Sequence, residues 1–159
     1  MRVICVSELN KSFEVFNRRT ANEKIVLFVC KENACRSQMA EVIFNRLAIK
    51  YGTEMRAISA GTKPIDVVNQ KAIETMKEIG INISIQKPKL LTQETINKMS
   101  IIITMGCMDG CPVTTKEKTI YWDIDDPVGK PIEMFRKVRD ELIYRIKKLL
   151  IEQGMKTGH

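Results

Sequence analysis

The run Ile25-Val26-Leu27-Phe28-Val29 is apolar without a break and rich in β-branched side chains. A run this short and this apolar reads as a strand buried on both faces, the mark of a parallel sheet covered by helices. It opens directly into Cys30-Lys31-Glu32-Asn33-Ala34-Cys35-Arg36-Ser37, and then the period changes. Met39, Val42, Ile43 and Leu47 recur at helical spacing over 37–51, with Gly52 as a stop. The alternation continues down the chain. Residues 55–59 are predicted as a second strand closed by Ala60-Gly61, and 66–78 as a helix with Gly80 after it. A short helix is expected over 91–98, a buried strand over 101–104 and a fourth strand over 118–122. A long C-terminal helix over 131–152 carries Met134, Val138, Leu142, Ile146, Leu149 and Leu150. Strands alternating with helices predict a single doubly wound α/β domain, and 159 residues suffice for one core. Residues 1–22 do not fit this rhythm. Residues 2–6 read as an extra edge strand, and 11–20 as a helix or a loose arm. The predicted organisation is an N-terminal extension of unknown role, a domain over 23–154 and a tail over 155–159.

In an open α/β sheet, ligands bind beyond the carboxyl ends of the strands, and the Cys30 loop lies there. A tight loop feeding a helix N-terminus turns backbone N–H groups inward, and with the helix dipole they form an anion cradle over 31–37. The same field favours a thiolate, so Cys30 is the candidate nucleophile. Arg36 can fold back over the loop, where its planar fork matches two oxygens of a tetrahedral oxyanion. The Ser37 hydroxyl can donate to the Cys30 sulfur, and Asn33 can hold a left-handed turn. A bare Cys-x5-Arg is a weak pattern. The strand before it, the helix after it, and Asn33 and Ser37 in place make it specific.

The five cysteines are Cys5, Cys30, Cys35, Cys107 and Cys111. An odd count without an export signal argues against a disulfide framework and for a cytoplasmic protein. The single histidine is His159, at the far end, which removes Cys–His catalysis and most metal sites. The net charge of +7 attracts anions, but Lys and Arg are scattered among Glu without aromatic interleaving. No nucleic-acid partner is expected. No apolar run is long enough to span a bilayer, so no membrane partner is expected either.

A second segment, Thr104-Met105-Gly106-Cys107-Met108-Asp109-Gly110-Cys111-Pro112, also follows a buried strand and should face the Cys30 loop. Gly106 and Gly110 give it conformational freedom. Its two cysteines could be packing residues, although a polar Gly-rich loop is a poor burial site. They could bind zinc with Cys30 and Cys35, which would block the nucleophile. They could also be a redox pair. Asp123, Asp125 and Asp126 cluster before Pro127, where a turn or helix start competes with a general acid. Trp122 reads as a partly buried anchor, and Cys35 as a packing residue.

Cys-x5-Arg-Ser near the start of a small α/β domain resembles the low-molecular-weight protein tyrosine phosphatases. More closely, it resembles the thioredoxin-coupled arsenate reductases built on the same fold. The similarity rests on Asn33 to Glu41, Ser59-Ala60-Gly61, Ile81 to Ser84, Tyr121 to Lys130 and Phe135 to Glu141, and covers about 23–152. It implies a four-stranded parallel sheet flanked by helices. It also implies attack of Cys30 on arsenate with Asp126 as the acid, then a relay through Cys107 and Cys111 closed by a thioredoxin-like reductant or by a low-molecular-weight thiol. The gap between Cys107 and Cys111 is shorter than in many relatives. No cofactor is implied. Some relatives bind potassium beside the loop; Asn33, Glu41 and Ser59 match that set, but Lys89 stands where an Asp would complete it. No metal is therefore expected, and a lysine ammonium takes the position. Glu32, where phosphatases carry glycine, is expected to point outward. The alternative is a phosphatase acting on aryl phosphates through a phosphocysteine, with Cys107 and Cys111 as a redox switch. A non-enzymatic oxyanion or redox sensor is a third reading, disfavoured because binding alone needs neither nucleophile nor acid.

Overall fold

The computed structural model describes residues 24–106 and 117–154. The extension over 1–22 with Cys5, the pair Cys107 and Cys111, and the tail over 155–159 lie outside the described residues.

The elements in chain order are β1 (Ile25–Cys30), α1 (Arg36–Lys50), β2 (Arg56–Gly61), α2 (Gln70–Lys77), α3 (Gln93–Lys98), β3 (Ile101–Thr104), β4 (Thr119–Tyr121) and α4 (Ile132–Gly154). The four strands form one parallel sheet in the order β2-β1-β3-β4. Every residue of β1 is buried, because the strand is central and covered on both faces. Val26 and Phe28 enter the larger core with α1, α2 and α4, where Phe28 meets Phe44 edge-on and Trp122 at a tilt. Ile25, Leu27 and Val29 enter a smaller core with Leu91, Ile96 and Met99, around α3. This alternation is the period of a strand dividing two layers.

Of the boundaries that differ from the sequence reading, three have a visible cause or cap in the structure. β2 runs on through Ala60 and Gly61, because these residues pair in parallel with Val29 and Cys30. Helix α2 starts at Gln70 rather than at 66. Asn69 caps it, its Oδ1 accepting from the backbone N–H groups of Lys71 and Ala72 at 2.9 and 3.2 Å. Ahead of that cap the chain runs along the Cys30 loop. Lys63, Ile65 and Asn69 donate their backbone N–H groups to the carbonyls of Lys31, Glu32 and Ala34 at 2.8, 3.2 and 2.8 Å. Helix α3 starts two residues later than expected, with Thr92 as its cap. No helix of the described residues is long and apolar enough to cross a membrane.

Candidate active site

The loop between β1 and α1 holds most of the candidate residues. Asn33 holds its only non-glycine positive φ, +49°, which Asn tolerates better than most residues. Its side chain is fully buried and organises the turn. Oδ1 accepts from Gln38 Nε2 at 3.0 Å and from the Lys89 backbone N–H at 2.9 Å. Nδ2 donates to Ser37 Oγ at 2.7 Å. Because Oγ accepts there, its own hydrogen is free for Cys30 Sγ, 2.8 Å away. The sulfur thus faces a donor held in place from the opposite side of the loop. A hydroxyl donor in this position favours negative charge on the sulfur over the neutral thiol.

Arg36 opens α1 and is 8% exposed. Its Nη1 donates to the Met105 carbonyl at 2.7 Å and to the Ile124 carbonyl at 3.1 Å, so the ends of β3 and β4 hold the guanidinium. Nη2 stands 3.8 Å from Asp126 Oδ2, and the Asp126 side chain is more than half exposed. Asp126 Oδ1 accepts from the Val128 backbone N–H at 3.1 Å, an Asx turn that fixes the carboxylate at the site's edge. Cys30, Lys31, Glu32, Ala34, Cys35, Arg36, Asp126 and Val128 line one cavity of about 120 Å³. Glu32, expected to turn outward, borders this cavity and is half-buried, on a stretch of loop whose backbone is tied to 63–69 by the bond from the Ile65 N–H to its carbonyl. A larger cavity of about 360 Å³ between β4 and α4 holds no cysteine.

Cys35 lies beneath the loop with its sulfur 4.0 Å from that of Met39. Burial pushes its thiol far up, and the Cys30 and Asp126 charges add to the effect. Its sulfur is packed away from solvent under the loop. Trp122 is 7% exposed and packs on Phe28, with the Arg145 guanidinium over its ring.

Glu41, on the inner face of α1, is buried, with the Lys89 Nζ 3.5 Å from its Oε1. An ammonium thus stands beside Glu41, behind the loop. Burial still pushes the carboxyl up, opposed by Lys89 and then by the Ser59 backbone N–H. No group of three or more His, Cys, Asp or Glu among the described residues could hold a metal ion.

Sequence reasoning brought Cys30, Asn33, Arg36, Ser37 and Asp126 to the same loop or sheet edge, and the structure places all five there. It missed Gln38, whose amide anchors Asn33, and the carbonyls of Met105 and Ile124. A glutamine on a helix's buried face was the available signal for the first. Nothing in the sequence announces the carbonyls. The close fit of Gly61 was also missed. A Cβ there would lie 2.6 Å from the Lys31 carbonyl oxygen and 2.9 Å from the Asn33 nitrogen, so the loop rests directly on the end of β2.

A parallel four-stranded sheet with a Cys-x5-Arg-Ser loop at its carboxyl edge defines a cysteine-dependent, oxyanion-handling class. The profile of the family described as low molecular weight phosphotyrosine protein phosphatase matches residues 25–157, and the chain belongs to that family. Within it, the chain is similar to an arsenate reductase of Brevibacillus brevis, 39% identical over 131 residues that make up 80% of this chain and 94% of that one. Among solved structures, it resembles a low molecular weight protein tyrosine phosphatase from T. tengcongensis. The TM-score is 0.74 at 32% identity, covering 81% of this chain and 99% of that one. It also resembles a thioredoxin-dependent arsenate reductase of Corynebacterium glutamicum. There the TM-score is 0.70 at 29% identity, covering 91% of this chain and 68% of that one.

Proposed function

We propose that this protein reduces arsenate to arsenite by a thiol relay. The observation that carries the reading is the convergence of Cys30, Arg36 and Asp126 on one small cavity. The similarity to arsenate reductases supports the choice of substrate. The described residues that line the cavity include no aromatic ring, so nothing among them would stack on a phenyl group.

Arsenate binds against the loop N–H groups and the Arg36 guanidinium. The Cys30 thiolate attacks arsenic, and Asp126 gives a proton to the departing oxygen, which leaves as water. The Cys107 thiolate then attacks the Cys30 sulfur. The sulfur–arsenic bond breaks with both electrons remaining on arsenic, so arsenic(V) becomes arsenic(III) and arsenite departs. A Cys30–Cys107 disulfide remains. Cys111 attacks Cys107 and frees Cys30, and a thioredoxin-like dithiol reduces the Cys107–Cys111 disulfide. Aryl-phosphate hydrolysis through a phosphocysteine is the second reading, favoured by the similarity to the T. tengcongensis phosphatase. The two share the first step and part at Cys107.

The deciding experiment is arsenite formation from arsenate with thioredoxin, thioredoxin reductase and NADPH, comparing wild type with Cys107→Ser. Turnover that vanishes in the variant while p-nitrophenyl phosphate cleavage survives is the expected result. No arsenite from the wild type with any thiol donor, alongside brisk aryl-phosphate cleavage, would overturn it in favour of the phosphatase.

A further inference from the structure

Gly106 has a φ of +85°, and a Cβ built on it would stand 3.3 Å from Arg36 Nη1. That nitrogen already spends both of its hydrogens, on the carbonyls of Met105 and Ile124 at 2.7 and 3.1 Å. A guanidinium has five N–H donors, so the Nε and Nη2 edge is the one left for an oxyanion. Its orientation depends on how closely Nη1 seats against 105–106 and 124. We infer that Gly106 is a positioning residue: the missing side chain lets the Arg36 guanidinium seat fully against the end of β3, which aims its free edge into the cavity.

The inference rests on the reading of Arg36 as the oxyanion ligand, and it is independent of what happens after binding. A contact of 3.3 Å is too tight for most Cβ atoms. The far end of an arginine usually moves away at little cost, but here two carbonyls hold it. A Cβ would therefore displace the guanidinium by a few tenths of an ångström and tilt the fork. Displacements of about 1 Å in such sites weaken function by about a hundredfold, so roughly tenfold is expected here.

Backbone strain must be separated from the contact, because any residue other than glycine is strained at this φ. Gly52 supplies the control: its φ is +69° and nothing lies within 4 Å of its Cβ position. Asn supplies a second, since it tolerates left-handed φ but still carries a Cβ. The measurement is the competitive inhibition constant of inorganic phosphate, with the melting temperature recorded for each variant. Gly106→Ala and Gly106→Asn are both expected to raise that constant roughly tenfold, the Asn variant with the smaller loss of melting temperature. Gly52→Ala should lower the melting temperature and leave the constant unchanged. If Gly106→Ala does not fold, Gly106→Asn decides. Wild-type phosphate affinity in a folded Gly106→Ala or Gly106→Asn protein overturns the inference. A wild type that binds phosphate yet makes no arsenite would defeat the proposed reaction and leave the role of Gly106 intact.

Discussion

Asn33 Nδ2 donates to Ser37 Oγ over 2.7 Å, which leaves the serine hydrogen nowhere better to go than the Cys30 sulfur 2.8 Å beyond. The polarity of this chain of bonds is fixed at its far end. Asn33 Oδ1 is occupied by the Gln38 amide and the Lys89 N–H, both donors, so Asn33 must present its own NH₂ to Ser37. The orientation of one amide thus decides which way the hydroxyl points.

Ser37→Ala removes the donor while keeping the helix start. Arsenate turnover should fall by roughly 10- to 100-fold, as for the loss of one preorganised donor to developing charge. Phosphate inhibition should change far less, because the oxyanion contacts are elsewhere. Steady-state kinetics that separate kcat from the phosphate inhibition constant provide the check. Unchanged kcat would show that the hydroxyl does not serve the sulfur.

Asn33→Ala should act on stability as well. It leaves the Lys89 N–H without its acceptor and strips the Gln38 amide of one acceptor, while the carbonyls of Asn33 and Lys87 remain to it, and it places a Cβ-bearing residue without a local side-chain bond at φ +49°. A loss of about 1–3 kcal/mol in urea unfolding is expected from the unpaired Lys89 donor and the strain together.

How much of the fold and site was legible in the chain depends on how local each cause is. The buried strand, the Cys30 loop and the helix after it are contiguous, so β1 and α1 emerge within a residue of their predicted bounds. Helix α2 does not. Val68 continues the helical spacing of Ala72 and Met76, but the backbone of 63–69 is drawn into bonds with Lys31, Glu32 and Ala34, some thirty residues earlier. Tertiary pairing overrides local pattern there. Arg36 shows the same limit at the site. Its place in the motif was plain, while the carbonyls that hold it come from 69 and 88 positions away. A backbone carbonyl carries no sequence signal of its own.

Gly61→Ala tests the seat of the loop. A Cβ 2.6 Å from a backbone oxygen cannot be relieved by a side-chain rotation, so either β2 or the loop must move. A loss of about 1–3 kcal/mol is expected from the overpacking. Phosphate affinity should fall with it, because the loop proposed to cradle the oxyanion is the part that rests on Gly61. A variant with lower stability and unaltered phosphate inhibition would mean that the strand yields and the loop stays.

Asp126→Asn removes the proposed acid and keeps the Asx geometry. Cleavage of p-nitrophenyl phosphate or turnover of arsenate should fall by about 10²–10⁴. Phosphate should bind at least as well, since a carboxylate beside the cavity is replaced by a neutral amide. Rates unchanged across pH in the variant would move the acid to another group.

Glu41 ties stability to pH through Lys89. Its carboxyl is pushed up by burial, so the folded chain keeps this proton to higher pH than the unfolded chain does. A group bound more tightly to its proton in the folded state contributes stability that is complete below the unfolded value. That contribution is lost as pH rises through the folded value. The wild type should therefore lose stability from this group as pH rises above about 4.3, the ordinary glutamate value. Glu41→Gln should flatten that part of the curve. Lys89→Met should steepen it, because the ammonium 3.5 Å away is what opposes the burial. At neutral pH, Lys89→Met should lose about 1–3 kcal/mol, less than a wholly buried pair would, since the lysine side chain is about half exposed. Urea denaturation at several pH values between about 4 and 8 reads all three proteins. A Lys89→Met protein whose stability runs parallel to wild type would show that the ammonium does not govern Glu41.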